Sequence, residues 1–120
     1  MAVEQARLEP GITYIKLIGH VTIDDLAEAQ EEGVALAASE PQYVLIVDLS
    51  EWQYNTPDFR KLRALVANEP HNLIGRIIVA QSNIVQFIIR TLSVVIRQHI
   101  HYAPTLEAGI IKAREILTNS

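Results

Sequence analysis

The chain contains no cysteine. That excludes a disulfide scaffold, a thiolate zinc site and a cysteine nucleophile. Aromatic residues are scarce, at 6%, while hydrophobic residues reach 49%. The apolar content is therefore aliphatic. With a mean hydropathy of +0.16, it is a surplus for a small domain whose surface must stay polar. Positive charge is short as well: 10 Lys and Arg against 14 Asp and Glu leave a net charge of −4. A general nucleic-acid binder would carry a basic face, so no nucleic-acid partner is expected. Long apolar runs are missing too. The richest stretch, Ile84 to Ile96, is interrupted by Gln86, Arg90, Thr91 and Ser93. A membrane span needs about 20 mostly apolar residues, so none is expected. The opening MAVEQARLEP lacks the basic-then-apolar order of a signal peptide, and the expected location is cytoplasmic. No Gly-rich phosphate loop, nucleophile elbow or kinase signature occurs. The expectation is a chain that is not an enzyme and needs no cofactor.

What is there alternates between strand and helix signals over 120 residues, the size of one domain. Val3 to Leu8 reads as an edge strand. Glu9-Pro10-Gly11-Ile12 reads as a turn, because Pro presets φ and Gly accepts φ > 0. Ile12 to Gly19 follows as a strand, antiparallel to the first. Thr22 is a helix N-cap with Asp25 completing a capping box. The helix behind it runs to about Ala38, with Ile23, Leu26, Ala27, Gln30, Val34 and Ala37 on one stripe. Tyr43 to Leu49 is a strand buried on both faces. Thr56, Pro57 and Asp58 open a second helix as N-cap, N1 and a dipole-favoured carboxylate. Leu73 to Ala80 is another buried strand, broken at its start by Gly75 and Arg76. Ser82 or Asn83 caps a long helix to about Gln98. Ile100 to Ala103 is a short strand, and Thr105 caps a last helix with Leu106, Ile110, Ala113 and Leu117 inward. The order is β-β-α-β-α-β-α-β-α. Helix-length crossovers imply parallel pairing, so the fold class is a single α/β domain with a mostly parallel mixed sheet opened by an antiparallel hairpin.

In this order the chain resembles the SpoIIAA-like and STAS group of small bacterial domains. Four segments carry the resemblance: Gly19 followed by Val21-Thr22 and an acidic helix; Val44-Leu45-Ile46-Val47-Asp48-Leu49-Ser50; Arg76-Ile77-Ile78-Val79-Ala80; and Pro104-Thr105-Leu106-Glu107-Ala108. The resemblance implies a regulatory fold. In the anti-sigma-factor antagonist branch, a Ser or Thr in an Asp-Ser-Ser-Gly-like turn before the second helix is phosphorylated by a partner kinase. Thr56 stands at the matching place. Its surroundings, Asn55-Thr56-Pro57-Asp58, lack the Ser pair and the Gly. Plain capping is the competing role for Thr56. In these departures the chain looks closer to a branch with a lipid-binding-protein-like fold, which lacks the phosphosite.

Ligands of open α/β sheets bind outside the carboxyl ends of the strands. Here those ends carry Asp48, Ser50, Gln81, Ser82, Asn83 and Thr105, with Trp52 and Tyr54 on a following loop. They form the candidate crevice for a ligand or a partner. The competing picture has Trp52 and Tyr54 folding back over the sheet end, with Asp48 accepting local N–H groups. His99 and His101 share one side of a strand, yet no third ligand or metal motif accompanies them, and no metal is expected. Asp24, Asp25, Glu28, Glu31 and Glu32 make the first helix acidic, which suits a solvated face or a basic partner. The long helix is apolar over a far wider arc than a sheet-covering helix needs. Ile84, Phe87, Ile88, Val94 and Val95 are its candidate homodimer face, since a second copy would cover the excess. Cover from within the subunit is the alternative. The leading functional expectation is a non-enzymatic regulatory or interaction module working through protein partners. The rival is a carrier of a small apolar ligand or lipid, with a cavity beneath Ile88, Leu92 and Val95.

Overall fold

A computed structural model of the chain describes residues 3–53, 60, 61, 64, 70–81, 83, 87, 90 and 100–119. Its sheet is five-stranded, in the order β1-β2-β3-β4-β5. The strands are β1 (Val3–Glu9), β2 (Ile12–Gly19), β3 (Tyr43–Trp52), β4 (Leu73–Val79) and β5 (Ile100–Ala103), with helices α1 (Ile23–Leu36) and α2 (Leu106–Thr118). β1 and β2 are antiparallel, and every later neighbour is parallel. The turn joining the first two strands needs Gly11, which sits at φ 82°. Arg60, Lys61 and Ala64, and Asn83, Phe87 and Arg90, are helical residues of the two connections flanking β4.

Each parallel step moves the same way through the sheet, so right-handed crossovers should run over one face. The α1 crossover does run over that face. The front face carries Ile15, Leu17, Leu49, Ile78 and Ala80, packed with Leu26 and Ala29 of α1. Arg90 lies on the same side, its guanidinium carbon 5.6 Å from the centre of the Tyr102 ring. The back face carries Ile12, Val44, Ile46, Ile77, Val79 and Ala103, packed with Ala113, Ile110 and Ile116 of α2. Period-two alternation in β3 and β4 serves both layers at once, which is why these strands read as continuous apolar runs.

Both described helices are capped as their sequences demand. Thr22 Oγ1 accepts the Asp25 N–H at 3.1 Å, and Asp25 Oδ2 accepts the Thr22 N–H at 3.0 Å. Thr105 Oγ1 accepts the Ala108 N–H at 3.1 Å. Arg114 of α2 reaches Glu9 with two hydrogen bonds of 2.8 Å, tying the last helix to the opening hairpin.

Several expected boundaries move. α1 ends at Leu36 rather than near Ala38, and its buried positions are Ala29 and the C-cap Ala37. Val34, expected inward, is 37% exposed. Small side chains let this helix approach β1, where Gln5 Oε1 would lie 3.2 Å from a Cβ added at Gly33. β1 runs through Glu9, with a bulge between Arg7 and Glu9. β4 ends at Val79, one residue early. The register does shift at its entry, where Ile74 is an extra residue between the Tyr43–Leu73 and Val44–Gly75 pairs, and Gly75 and Arg76 then pair with Val44 and Leu45. Burial lowers the Arg76 guanidinium to about 10, still cationic at neutral pH.

Thr13 is a polar residue inside the sheet, 3% exposed, and its hydroxyl has no hydrogen-bond partner among the described residues. An unpaired buried hydroxyl costs about 1–3 kcal/mol. Thr13→Val keeps the branched shape that suits a strand and removes the unpaired group. It is expected to raise stability by about 1 kcal/mol, seen as a higher urea midpoint at unchanged slope.

Candidate functional site

The carboxyl ends of the parallel strands are aligned by register. Asp48 pairs with Val79, and Val79 with Ala103. Ser50, Gln81 and Thr105 therefore each lie two residues beyond a single row across β3, β4 and the chain leaving β5. All three are exposed, as is Asn83. Tyr54, Ser82 and Thr56 fall outside the described residues.

Asp48 is the buried member, 6% exposed. Its Oδ1 accepts the Ser50 N–H at 2.9 Å, and its Oδ2 accepts the Tyr14 hydroxyl at 2.8 Å. Burial alone pushes this carboxyl up. The side chain and N–H of Ser50, the Tyr14 hydroxyl and the Lys16 charge outweigh it and hold the group below its usual range. The stability it contributes is present above the ordinary carboxylate range and is lost as pH falls through the lowered value. Tyr14 responds in the opposite sense. Burial, the hydrogen bond to Asp48 and the charges of Asp48, Glu4 and Glu51 all raise it, so it stays a neutral donor.

The end of β3 departs from the expected loop. The strand continues to Trp52, and Lys16 pairs with Asp48 while Ile18 pairs with Glu51. β3 thus spends three steps where β2 spends two, which is a β-bulge. The extra residue resets the alternation. Leu49 and Trp52 both meet the front core, and Glu51 comes round to the back, where it forms an ion pair with Lys16. That pair raises the Lys16 ammonium's pKa. Trp52 is accordingly half-buried on a strand, not a loop residue. Its side chain packs against the front core of the sheet.

Sequence reasoning named Asp48 and Ser50 but gave Tyr14 and Lys16 no role. The signal was there: Tyr14 and Lys16 share one side of β2, and parallel register lays that side against the Asp48 side of β3. The arrangement is an ionised carboxylate that holds the Ser50 N–H with one oxygen and a neutral phenol with the other.

Of the proposed dimer face, Phe87 is described and is 71% exposed. Ile84, Ile88, Val94 and Val95 lie outside the described residues, as does the expected apolar cavity beneath Ile88, Leu92 and Val95. His101 is half-buried on β5, and His99 is not described. Among the described residues no group of three or more His, Asp or Glu side chains is placed to hold a metal ion. Among them, too, no helix is long and apolar enough to cross a membrane.

This five-stranded mixed sheet, with a hairpin followed by parallel steps and a capped C-terminal helix, is a STAS-like fold. The chain is similar to the crystal structure of an anti-sigma factor antagonist from Mycobacterium paratuberculosis. The match covers 93% of this chain and 94% of that one, with a TM-score of 0.60 and 17% identity. No family model matches the chain, and no curated protein matches it.

Proposed function

We propose that the chain is a regulatory interaction module of the STAS type, acting by contact with protein partners rather than by catalysis. The observation that carries this reading is the end-to-end likeness in fold to an anti-sigma factor antagonist. The polar, exposed row of Ser50, Gln81 and Thr105, with Asn83 exposed nearby in sequence, supports the carboxyl ends of the strands as the contact surface. Thr56, by the family resemblance, is its candidate phosphoacceptor. The test is photo-crosslinking in the native host. A crosslinking amino acid at Ser50, Gln81 or Thr105 should trap one defined protein. The same probe at Glu115, exposed near the far end of α2, should not. Adducts from every position alike, or from none, overturn the reading.

The homodimer belongs to the same reading. Its support is Phe87, an exposed phenylalanine on a helix, with Asn83 and Arg90 exposed one turn before and after it. Sedimentation at micromolar concentration should find twice the chain mass of 13.4 kDa. Phe87→Glu should weaken association roughly thirty-fold or more, as for a hot-spot aromatic, without lowering the melting temperature of the subunit. A wild-type species of 13.4 kDa removes the dimer.

A further inference from the structure

β4 stops at Val79, whose partner on β3 is Asp48. The remainder of β3 overhangs the sheet and, among the described residues, is paired to β2 alone, Ile18 with Glu51 and Gly19 with Trp52. Gln53 completes the attachment, its N–H donating to the Gly19 carbonyl at 2.9 Å. The bulge sits at the root of this overhang, where ladder bonding is interrupted. Asp48 spans that point: Oδ1 holds the Ser50 N–H beyond it, and Oδ2 holds the Tyr14 hydroxyl on β2.

We infer that Asp48 is a positioning residue, a latch that fixes the overhanging segment Ser50–Gln53 against β2 and so sets the direction in which the chain leaves the sheet. The inference rests on the reading of the strand ends as a contact surface, because Ser50 and Trp52 are carried by this segment. The core of the sheet does not depend on the latch. Val44 and Ile46 are held from both sides by β2 and β4 and are fully buried. Among the described residues the overhang has β2 as its neighbouring strand, where β3 further back has strands on both sides; Trp52 rests on the front core, Glu51 pairs with Lys16, and this carboxylate holds the segment at its root. The overhang is therefore the part of β3 that can open alone, as lightly attached segments do in native-state exchange.

The test compares Asp48→Ala with Asp48→Asn in the isolated chain. Amide hydrogen exchange is read at residues 50–53 and at residues 44–47. Acrylamide quenching reads Trp52, the sole tryptophan. Asp48→Ala should speed exchange at 50–53 about ten- to hundred-fold, the loss expected for a hydrogen bond to a charged group, and should raise quenching. Exchange at 44–47 should change much less. Asp48→Asn keeps an acceptor oxygen for the Ser50 N–H and should restore most of the protection. Equal acceleration in both segments, or none at 50–53, overturns the inference. If Asp48→Ala does not fold, Tyr14→Phe removes one of the two bonds. It should still speed exchange at 50–53 by a factor of about three to ten, and no change there also overturns the inference. Neither readout involves a partner, so failure of the contact-surface reading and failure of the latch are told apart.

Discussion

Truncating Ile46 to alanine is expected to lower the unfolding free energy by about 3–4 kcal/mol, and the melting temperature by about 12–16 °C. Ile46 is fully buried in the middle strand, between Tyr14 on β2 and Ile77 on β4. It faces the back layer, where Ala113 of α2 is also fully buried. A cavity opened there has walls that cannot collapse. The neighbouring strands are fixed by ladder hydrogen bonds, and α2 is fixed at its ends by the Thr105 cap and the Arg114–Glu9 pair. The cost should therefore lie toward the upper part of the range for large-to-small core changes. Ile111→Ala is the control. Ile111 lies on the outer side of the same helix, 52% exposed, and its truncation should change stability by no more than about 0.5 kcal/mol. Urea unfolding of the two variants measures the difference. Equal midpoints would mean that α2 does not pack on the sheet as described.

That back layer was legible in the residue order because it depends on local rules. Pro10-Gly11 marks the hairpin, Thr105 marks a helix start, and alternation in β3 and β4 tells inward from outward. The order of elements was enough to bring a STAS-like fold into view, although a solved structure of similar fold is only 17% identical. The end of β3 was not legible. Ser50 and Glu51 are polar, so a strict period of two stops the strand at Leu49. The bulge lets Leu49 and Trp52, three residues apart, share the front face, and no periodicity template contains that offset. α1 was misjudged at its packing surface for a related reason. Ala29 and Gly33 matter through being small at a close approach to β1, and a stripe chosen by hydrophobicity favours Val34 instead.

The candidate site divides the same way. Asp48 and Ser50 stand out because they end an apolar run. Tyr14 joins them through register between strands separated by α1, and register is set by the whole sheet rather than by spacing along the chain. Lys16 reads as an ordinary solvent-side residue until Glu51 is brought beside it by the bulge. What the structure adds to the sequence picture is thus a change of role. The strand-end carboxylate bonds its own strand at the Ser50 N–H and the neighbouring strand at the Tyr14 hydroxyl.

The second large effect is expected at Gly11, and it separates backbone strain from packing. Gly11 has φ 82°, and a Cβ built there would lie 3.1 Å from Leu117 Cδ1 of α2 and 3.5 Å from the Gln42 carbonyl oxygen. Gly19 has φ 66°, and among the described residues nothing lies within 4 Å of a built Cβ. Gly19→Ala should therefore cost about 1 kcal/mol, the left-handed strain of a residue with a side chain. Gly11→Ala should cost more, and Gly11→Val about 3 kcal/mol, because a branched side chain at positive φ also drives into Leu117. The disturbance should spread along the sheet, since the Gly11 carbonyl accepts the Val44 N–H at 2.8 Å at the start of β3. A double-mutant cycle isolates the packing part. Shortening Leu117 to alanine makes room, so Gly11→Ala should cost less in the Leu117→Ala background than in the wild type, with a coupling of about 0.5–1 kcal/mol. If Gly11→Ala and Gly19→Ala cost the same and the cycle shows no coupling, then the hairpin turn does not rest on the last helix.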